Sequence, residues 1–309
     1  MSAIPIIDLD MTDTDGVTLS EKIDIACREI GVFQVIGHGI PRTVYDRVYD
    51  AAEGLWALPI AEKEKLRDPH EHPFRGWRRF LDPKGETLQE RWYVNRFDGP
   101  LHAHALGVPT QFSSYFSPNI WPHNAPDLVE ATVECFDAYR HLAERMMIMF
   151  CSALNLPIGT FEPLCGNDAS YLAMQAYPGL SKLPPGSPAM REHTDSGTLT
   201  ILHQRGQYAG LQVRLRNGEW ETIQVSDEAL IIFVGDMMTR LTNDRWRAVP
   251  HRAIQGEIGQ RRASLTLFYT PPVDAIIRPL ASFIEEGGPL YEPTTVFAFD
   301  REYQHTYST

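Results

Sequence analysis

Cysteine is scarce in this chain. Cys27, Cys135, Cys151 and Cys165 are spread through 309 residues, and no Cys-x-x-Cys pair occurs. That spacing excludes a dense disulfide framework and suits reduced thiols in a cytoplasmic protein. Basic charge is in deficit: 28 Lys and Arg against 40 Asp and Glu give a formal net charge of −12. No Lys/Arg-rich stripe offsets it, so nucleic acid and anionic membrane surfaces are poor partners. No run approaches the roughly 18 apolar residues of a spanning helix. Met1–Asp8 has neither a basic n-region nor an apolar h-region, so no secretory leader is expected. Internal repeats and low-complexity tracts are also missing. What is present is 43% hydrophobic residues, enough for a sizeable core. The length fits two ordinary domains or one large β-rich unit with helical additions.

The N-terminal half reads as mixed. Ile4–Asp8 is a short strand, and Thr18–Gly31 a helix with Ile23, Cys27 and Ile30 on one face. Val32–Ile36 is β-type, and residues 42–56 and 60–67 are helical. Residues 68–122 are rich in Pro, His, Arg and aromatics without clean periodicity; long irregular stretches of this kind are often functional. Pro126–Leu154 is the strongest helix, with Val129, Val133, Phe136, Leu142, Met146 and Phe150 as its apolar stripe. From Tyr171 the texture changes to short β-type runs: Tyr171–Tyr177, Thr198–Gln204, Leu211–Leu215, Trp220–Val225, Ala229–Val234, Met237–Leu241, Val249–Ile254 and Ala263–Tyr269. Asn217-Gly218 marks a hairpin turn of type I′. That many short strands suggest a sandwich or barrel, with a jelly roll a good candidate. The expected class is therefore β-rich α+β. Its parts are a helical and mixed region over 1–165, a β core over 166–279 and a partly helical tail over 280–309, all in one structural unit.

His193-Thr194-Asp195 and a distant His251, 55 residues beyond Asp195, stand out chemically. Two imidazoles and one carboxylate are the ligand set of a non-haem Fe(II) site with open positions. In a strand His193 and Asp195 share a face, and the third ligand comes from a strand brought alongside. Taken alone, His-x-Asp also fits chance pairing on a surface. Arg262-Ala263-Ser264 places a guanidinium and a hydroxyl on one face, a pair able to clamp a carboxylate; the bland reading is a surface arginine beside Arg261. A structural zinc site is disfavoured, because such sites usually close with four Cys/His ligands.

These residues, in this order, resemble the isopenicillin N synthase-like Fe(II)/2-oxoglutarate-dependent dioxygenases, over nearly the whole chain. The resemblance is carried by Ile4–Asp8, Gly31–Ile40, His193–Thr200, Gly210–Val213, Gly218–Trp220, Gly235-Asp236 and Arg262–Tyr269. It implies a double-stranded β-helix core flanked by helices. It also implies Fe(II) on His193, Asp195 and His251, 2-oxoglutarate at Arg262, Ser264 and Tyr177, and O₂ as co-reactant. Phe268 matches a position that often lines the substrate pocket, and Tyr93 and Arg75 fall in substrate-facing segments. Gln175 stands where the family often has Asn. The implied partner is a small-molecule substrate, turned over by a monomer or weak oligomer. Family members that oxidise substrate without 2-oxoglutarate, or that form ethylene from it, are alternatives within the enzyme class. A non-catalytic jelly-roll binding protein is the alternative outside it.

Overall fold

The computed structural model describes residues 4–10, 17–70, 72–123, 125–224, 226 and 228–308. Met1–Ala3 and Val225, which entered the sequence reading, lie outside them. The side chains of 113, 114 and 304–308 are likewise not described.

Two sheets form the core. The larger has eight strands: β1 (Ile6–Asp8), β2 (Val32–Ile36), β3 (Gly76–Leu81), β4 (Thr87–Asn95), β5 (Tyr171–Tyr177), β7 (Leu199–Gly206), β10 (Leu230–Val234) and β12 (Arg262–Tyr269). Their order is β1-β2-β10-β7-β12-β5-β4-β3. The smaller, of four strands, contains β6 (Pro188–His193), β8 (Leu211–Arg214), β9 (Trp220–Thr222) and β11 (His251–Ile254), in the order β6-β11-β8-β9. Apart from parallel β1–β2, the ladders in both sheets are antiparallel. Two facing antiparallel sheets of this kind are the double-stranded β-helix, here not closed into a barrel.

Alternation along the strands sorts the large sheet into two unlike faces. Leu172 and Met174, Leu199 and Ile201, Leu230 and Ile232, and Leu265 and Leu267 point outward into the main hydrophobic core. They meet α5 (Pro126–Ala153) there, with α1 (Leu19–Glu29) and α2 (Arg42–Ala57) packed behind it. Each such side chain contributes about 1.5–3 kcal/mol by leaving water. The buried stripe of α5 begins at Leu128, Ala131, Thr132 and Cys135 rather than at Val129 and Val133; Val133 is 48% exposed. Stepping back from Phe136 by four residues reaches Thr132 and Leu128, so the true stripe alternates apolar with small residues. The opposite face looks toward the smaller sheet: at its β2–β10–β7 end Val32, Ile231 and Leu202 meet Leu211 and Val213 in a second apolar cluster, and from β12 to β4 it is polar and aromatic.

Local signals explain several boundaries. Thr18 caps α1 in a capping box with Glu21. Asn217-Gly218 joins β8 to β9 with Gly218 at φ +87°, but Asn217 is not at positive φ, so the turn is not type I′. Met237–Leu241 is not a strand. It lies in α6 (Asp236–Leu241), which starts at Gly235 with Asp236 in its first turn. The helix expected over 60–67 is the shorter α3 (Ile60–Glu64). The stretch 68–122 is more regular than its composition suggests: β3 and β4 form a hairpin, followed by α4 (Pro100–Ala105) and a 3₁₀ turn at Thr110–Tyr115. Beyond the second sheet, α7 (Val296–Ser308) turns the tail back over the core. Among the described residues no helix is long and apolar enough to cross a membrane.

Candidate metal centre

The smaller sheet supplies the histidines. His193 ends β6 and His251 begins β11, directly opposite each other in the ladder. Their ring centroids are 4.2 Å apart. Asp195 lies past the end of β6, in the turn before β7, not within the strand. The chain leaves the ladder there because α6 recruits it: the Asp236 amide donates to the Asp195 carbonyl at 2.8 Å. Close backbone approach fixes that turn. A Cβ on Gly235 would sit 2.1 Å from the Gly197 carbonyl oxygen, and one on Gly197 would sit 2.5 Å from that of Tyr269.

Three ligand atoms converge as a result. Asp195 Oδ1 is 3.8 Å from His193 Nε2 and 3.7 Å from His251 Nε2. One potential ligand atom from each residue lies within 4.8 Å of the others, the two-histidine, one-carboxylate arrangement. The tautomers suit metal binding. His193 Nδ1 meets the Arg191 carbonyl at 3.0 Å and His251 Nδ1 meets that of Val249 at 3.2 Å. A carbonyl only accepts, so each Nδ1 carries the hydrogen and each Nε2 presents its lone pair. Burial, and then the nearby His251, hold the pKa of His193 well below its ordinary value, favouring the neutral ring. Asp195 Oδ2 is buried with no hydrogen-bond partner among the described residues. A buried carboxylate oxygen left so is costly unless a cation takes it, and this donor set fits Fe(II). Next to it, Thr194 Oγ1 donates to Asp236 Oδ2 at 2.9 Å. Burial, reinforced by the charge of Asp195 and opposed by the Thr194 bond, raises the Asp236 carboxyl to about 6.

The inner face of the larger sheet brings the other sequence-level candidates together. Arg262 pairs with Tyr177, Ser264 with Gln175 and Phe268 with Tyr171 across β12–β5. Arg262 is 3% exposed. Its Nε and Nη2 donate to Gln204 Oε1 at 3.1 and 2.9 Å, and its Cζ lies 4.7 Å from the Tyr177 ring centroid. Arg262 Nη1 is buried without an acceptor among the described residues. Gln175 Oε1 takes the hydroxyls of Ser264 at 3.0 Å and Tyr177 at 3.2 Å. The Tyr177 oxygen in turn accepts from Gln89 Nε2 at 2.7 Å.

Phe268 and Tyr93 fall in an aromatic cluster with Tyr171 and Phe74. Tyr171 stacks on Phe268 with centroids 4.8 Å apart and on Phe74 at 5.2 Å. Arg75, 3% exposed, donates from its two terminal nitrogens to the carbonyls of Phe74 and Tyr115 and to Asn95 Oδ1, and its Nε is buried with no partner among the described residues. The hydroxyl of Tyr115 donates to Asp300 of α7, and Tyr303 of the same helix donates to the Thr194 carbonyl. The tail is thereby tied to the backbone between two metal ligands. Sequence reasoning gave no part in the site to Gln89, Gln204 or Asp300. Neither glutamine carries a motif that marks it; only the strand register sets Gln89 beside Tyr177 and Gln204 beside Arg262.

Comparison with known proteins agrees with this geometry. Residues 4–124 match the family described as non-haem dioxygenase in morphine synthesis N-terminal, and residues 169–271 match the 2OG-Fe(II) oxygenase superfamily. The chain is 31% identical to the 2-oxoglutarate-Fe(II) type oxidoreductase hxnY of Emericella nidulans, over 96% of this chain and 87% of that protein. It is 26% identical to validamycin A dioxygenase of Streptomyces hygroscopicus subsp. limoneus, over 92% and 81%. Among solved structures, a 2OG-Fe(II) oxygenase family protein from Caulobacter crescentus superposes with a TM-score of 0.86 at 22% identity, covering 99% of this chain and 100% of that one. JOX2 in complex with 2OG, Fe and JA gives 0.78 at 27% identity, covering 97% and 85%. With its facial triad, its two-sheet core and these relatives, the chain belongs to the 2-oxoglutarate- and Fe(II)-dependent oxygenase superfamily.

Proposed function

We propose that this chain uses Fe(II), 2-oxoglutarate and O₂ to oxidise a small-molecule substrate. The observation that carries the reading is a pair of unsatisfied buried groups in one interior: Asp195 Oδ2 beside two histidine Nε2 atoms, and Arg262 Nη1 on the facing sheet. The first calls for a cation, the second for an anion.

His193, Asp195 and His251 would hold the iron, their rings fixed by the Arg191 and Val249 carbonyls. Arg262 and Ser264 would hold the distal carboxylate of 2-oxoglutarate, with Tyr177 flat against the guanidinium. To do so, the Ser264 and Tyr177 hydroxyls turn from Gln175 toward the ligand, and Gln89 keeps Gln175 partnered at 3.4 Å. When bound, iron with its cosubstrate and O₂ supplies the oxidant, with 2-oxoglutarate going to succinate and CO₂. No side-chain general base is needed for that chemistry. Phe268, Tyr93 and Tyr171 would wall the substrate space and exclude water. Arg75 would act on the substrate through the wall, by fixing Phe74 and Tyr115. Residues 1–165, 166–279 and 280–309 would work as one unit, supported by the shared sheet and the tie from Tyr303 to Thr194. The free thiols of all four cysteines support a cytoplasmic setting.

The test is succinate formation from 2-oxoglutarate under air, with and without Fe(II), in the wild type and in His193→Ala. Iron-dependent succinate that vanishes in the variant is expected. Undiminished succinate from His193→Ala would remove the reading.

A further inference from the structure

One cation on the inner face is not used by that reading. Arg91 stands on β4 opposite Gln175, which is itself opposite Ser264, so all three share the interior face. Its three polar contacts are neutral. Nε donates to Gln89 Oε1 at 2.8 Å, Nη1 to the Tyr93 hydroxyl oxygen at 3.2 Å, and Nη2 lies 2.8 Å from Met190 Sδ on β6, the strand that carries His193. The guanidinium also covers the Phe80 ring, 4.5 Å from its centroid. Among the described residues no carboxylate pairs with it, and each terminal nitrogen has one protein partner, which leaves one N–H apiece for solvent or a ligand. Tyr93, 2% exposed, accepts from Arg91, and its own hydroxyl hydrogen has no acceptor among the described residues. Two adjacent donors on the inner face are therefore short of acceptors.

Charge sharpens this. A divalent ion on Asp195 and a dicarboxylate on Arg262 leave Arg91 as uncompensated positive charge on the inner face. Arg91 is only partly buried, and a cation half withdrawn from water beside neutral partners gains when a bound anion supplies its counter-ion. Beside it lie flat faces: Tyr93, Tyr171 and Phe268 form one cluster.

We propose that Arg91 and Tyr93 form an anion subsite that selects a small carboxylate substrate with a flat apolar body. This rests on the reading of His193, Asp195 and His251 as the reaction centre, since it makes the subsite part of the substrate space. Arg91 supplies charge and fork geometry, Tyr93 a second donor, and the aromatic cluster a stacking wall.

The probes are phenylacetate and its neutral isostere phenylacetamide, titrated calorimetrically into full-length protein loaded with Mn(II) and 2-oxoglutarate. Wild type should bind phenylacetate about 10-fold or more tighter than phenylacetamide, as a charge-assisted contact requires. Arg91→Gln should weaken phenylacetate about 10- to 100-fold, erase the preference and leave the 2-oxoglutarate Kd unchanged. Tyr93→Phe should weaken phenylacetate by about 3- to 10-fold. Equal binding of the two probes by wild type, a comparison that needs no variant to fold, overturns the subsite. So does a loss of 2-oxoglutarate affinity in Arg91→Gln as large as the loss for phenylacetate, which would assign Arg91 to the cosubstrate. The underlying reading fails separately: retention of Mn(II) by Asp195→Ala removes the reaction centre and leaves the carboxylate preference to be judged on its own numbers.

Discussion

Replacing Arg262 with Gln tests the proposal that the inner face holds 2-oxoglutarate. Arg262 is 3% exposed, and its protein partners are one amide oxygen and one aromatic ring. Its Nη1 has no acceptor among the described residues. Each hydrogen bond to a charged group contributes about 1.5–3 kcal/mol, and truncating one partner of a buried charged pair costs about 2–5 kcal/mol. The variant should therefore bind 2-oxoglutarate about 30-fold or more weakly. The same difference appears in stability. At a 2-oxoglutarate concentration about 100 times the wild-type Kd, binding adds about 2.7 kcal/mol. At ~2.1 cal/mol/K per residue, that raises the melting temperature of a chain this long by about 4 °C. In Arg262→Gln the increment should shrink below about half of that, because the same concentration is then only a few times the variant's Kd. Differential scanning fluorimetry of the Mn(II)-loaded protein reads both numbers. A variant that folds, keeps its metal and still melts the full increment higher with 2-oxoglutarate refutes the placement of the cosubstrate.

Lys63→Ala should destabilise the protein by about 3–5 kcal/mol, seen as a melting temperature lower by about 5–8 °C. The Lys63 ammonium and the Glu90 carboxylate are both buried at 2.8 Å, and the substitution strands Glu90 with the Trp77 indole as its remaining side-chain partner. Gly235→Ala forces a Cβ to 2.1 Å from the Gly197 carbonyl oxygen. It should cost about 1–3 kcal/mol in denaturant melts and weaken metal binding, because that backbone carries Asp195. His72 gives a pH signature. Burial first, and then Arg75 and Arg78, hold its pKa down at about 3, and its Nδ1 accepts from the Phe74 amide at 3.2 Å. A folded-state pKa below the unfolded one means the unfolded chain takes up the proton first as pH falls from about 6.5. His72 then subtracts stability across that window and has no effect above it. The drop in melting temperature between about pH 7 and pH 5 should be smaller in His72→Gln than in wild type; an equal drop contradicts the assignment.

The pairs His193/Asp195 and Arg262/Ser264 were legible as short i, i+2 spacings of chemically apt residues, although only Arg262 and Ser264 share a strand, Asp195 lying beyond the end of β6. The distant His251 was found from chemistry rather than periodicity, and the ladder places it opposite His193. Helices α1 and α5 were readable through apolar residues at helical spacing, though the α5 stripe is entered at Leu128 and Thr132 rather than at Val129 and Val133. The β3–β4 hairpin was not, for a physical reason. Its inner face carries Gln89, Arg91, Tyr93 and Asn95, while Trp92 and Val94 face the helices. Strand recognition expects polar residues outside, and this strand inverts the rule, turning its polar residues to the interior. Strand β6 was hard to see because it is an edge strand with several exposed positions, so no hydrophobic alternation marks it. Met237–Leu241 misled in the opposite sense, since a short apolar run fits either a strand or a helix and only the backbone contact of Gly235 with Gly197 decides. The glutamines at 89, 175 and 204 carry no motif of their own, and their roles emerge only from the register that sets them beside Tyr177, Ser264 and Arg262.

We propose that His193, Asp195 and His251 together hold one catalytic metal ion. Equilibrium titration of Mn(II) into the metal-free wild type and Asp195→Ala tests it most directly. One ion per chain in the wild type, with affinity lost by about 100-fold or more when the buried carboxylate is removed, is the predicted result. An Asp195→Ala protein that folds and still binds one Mn(II) with wild-type affinity would contradict it.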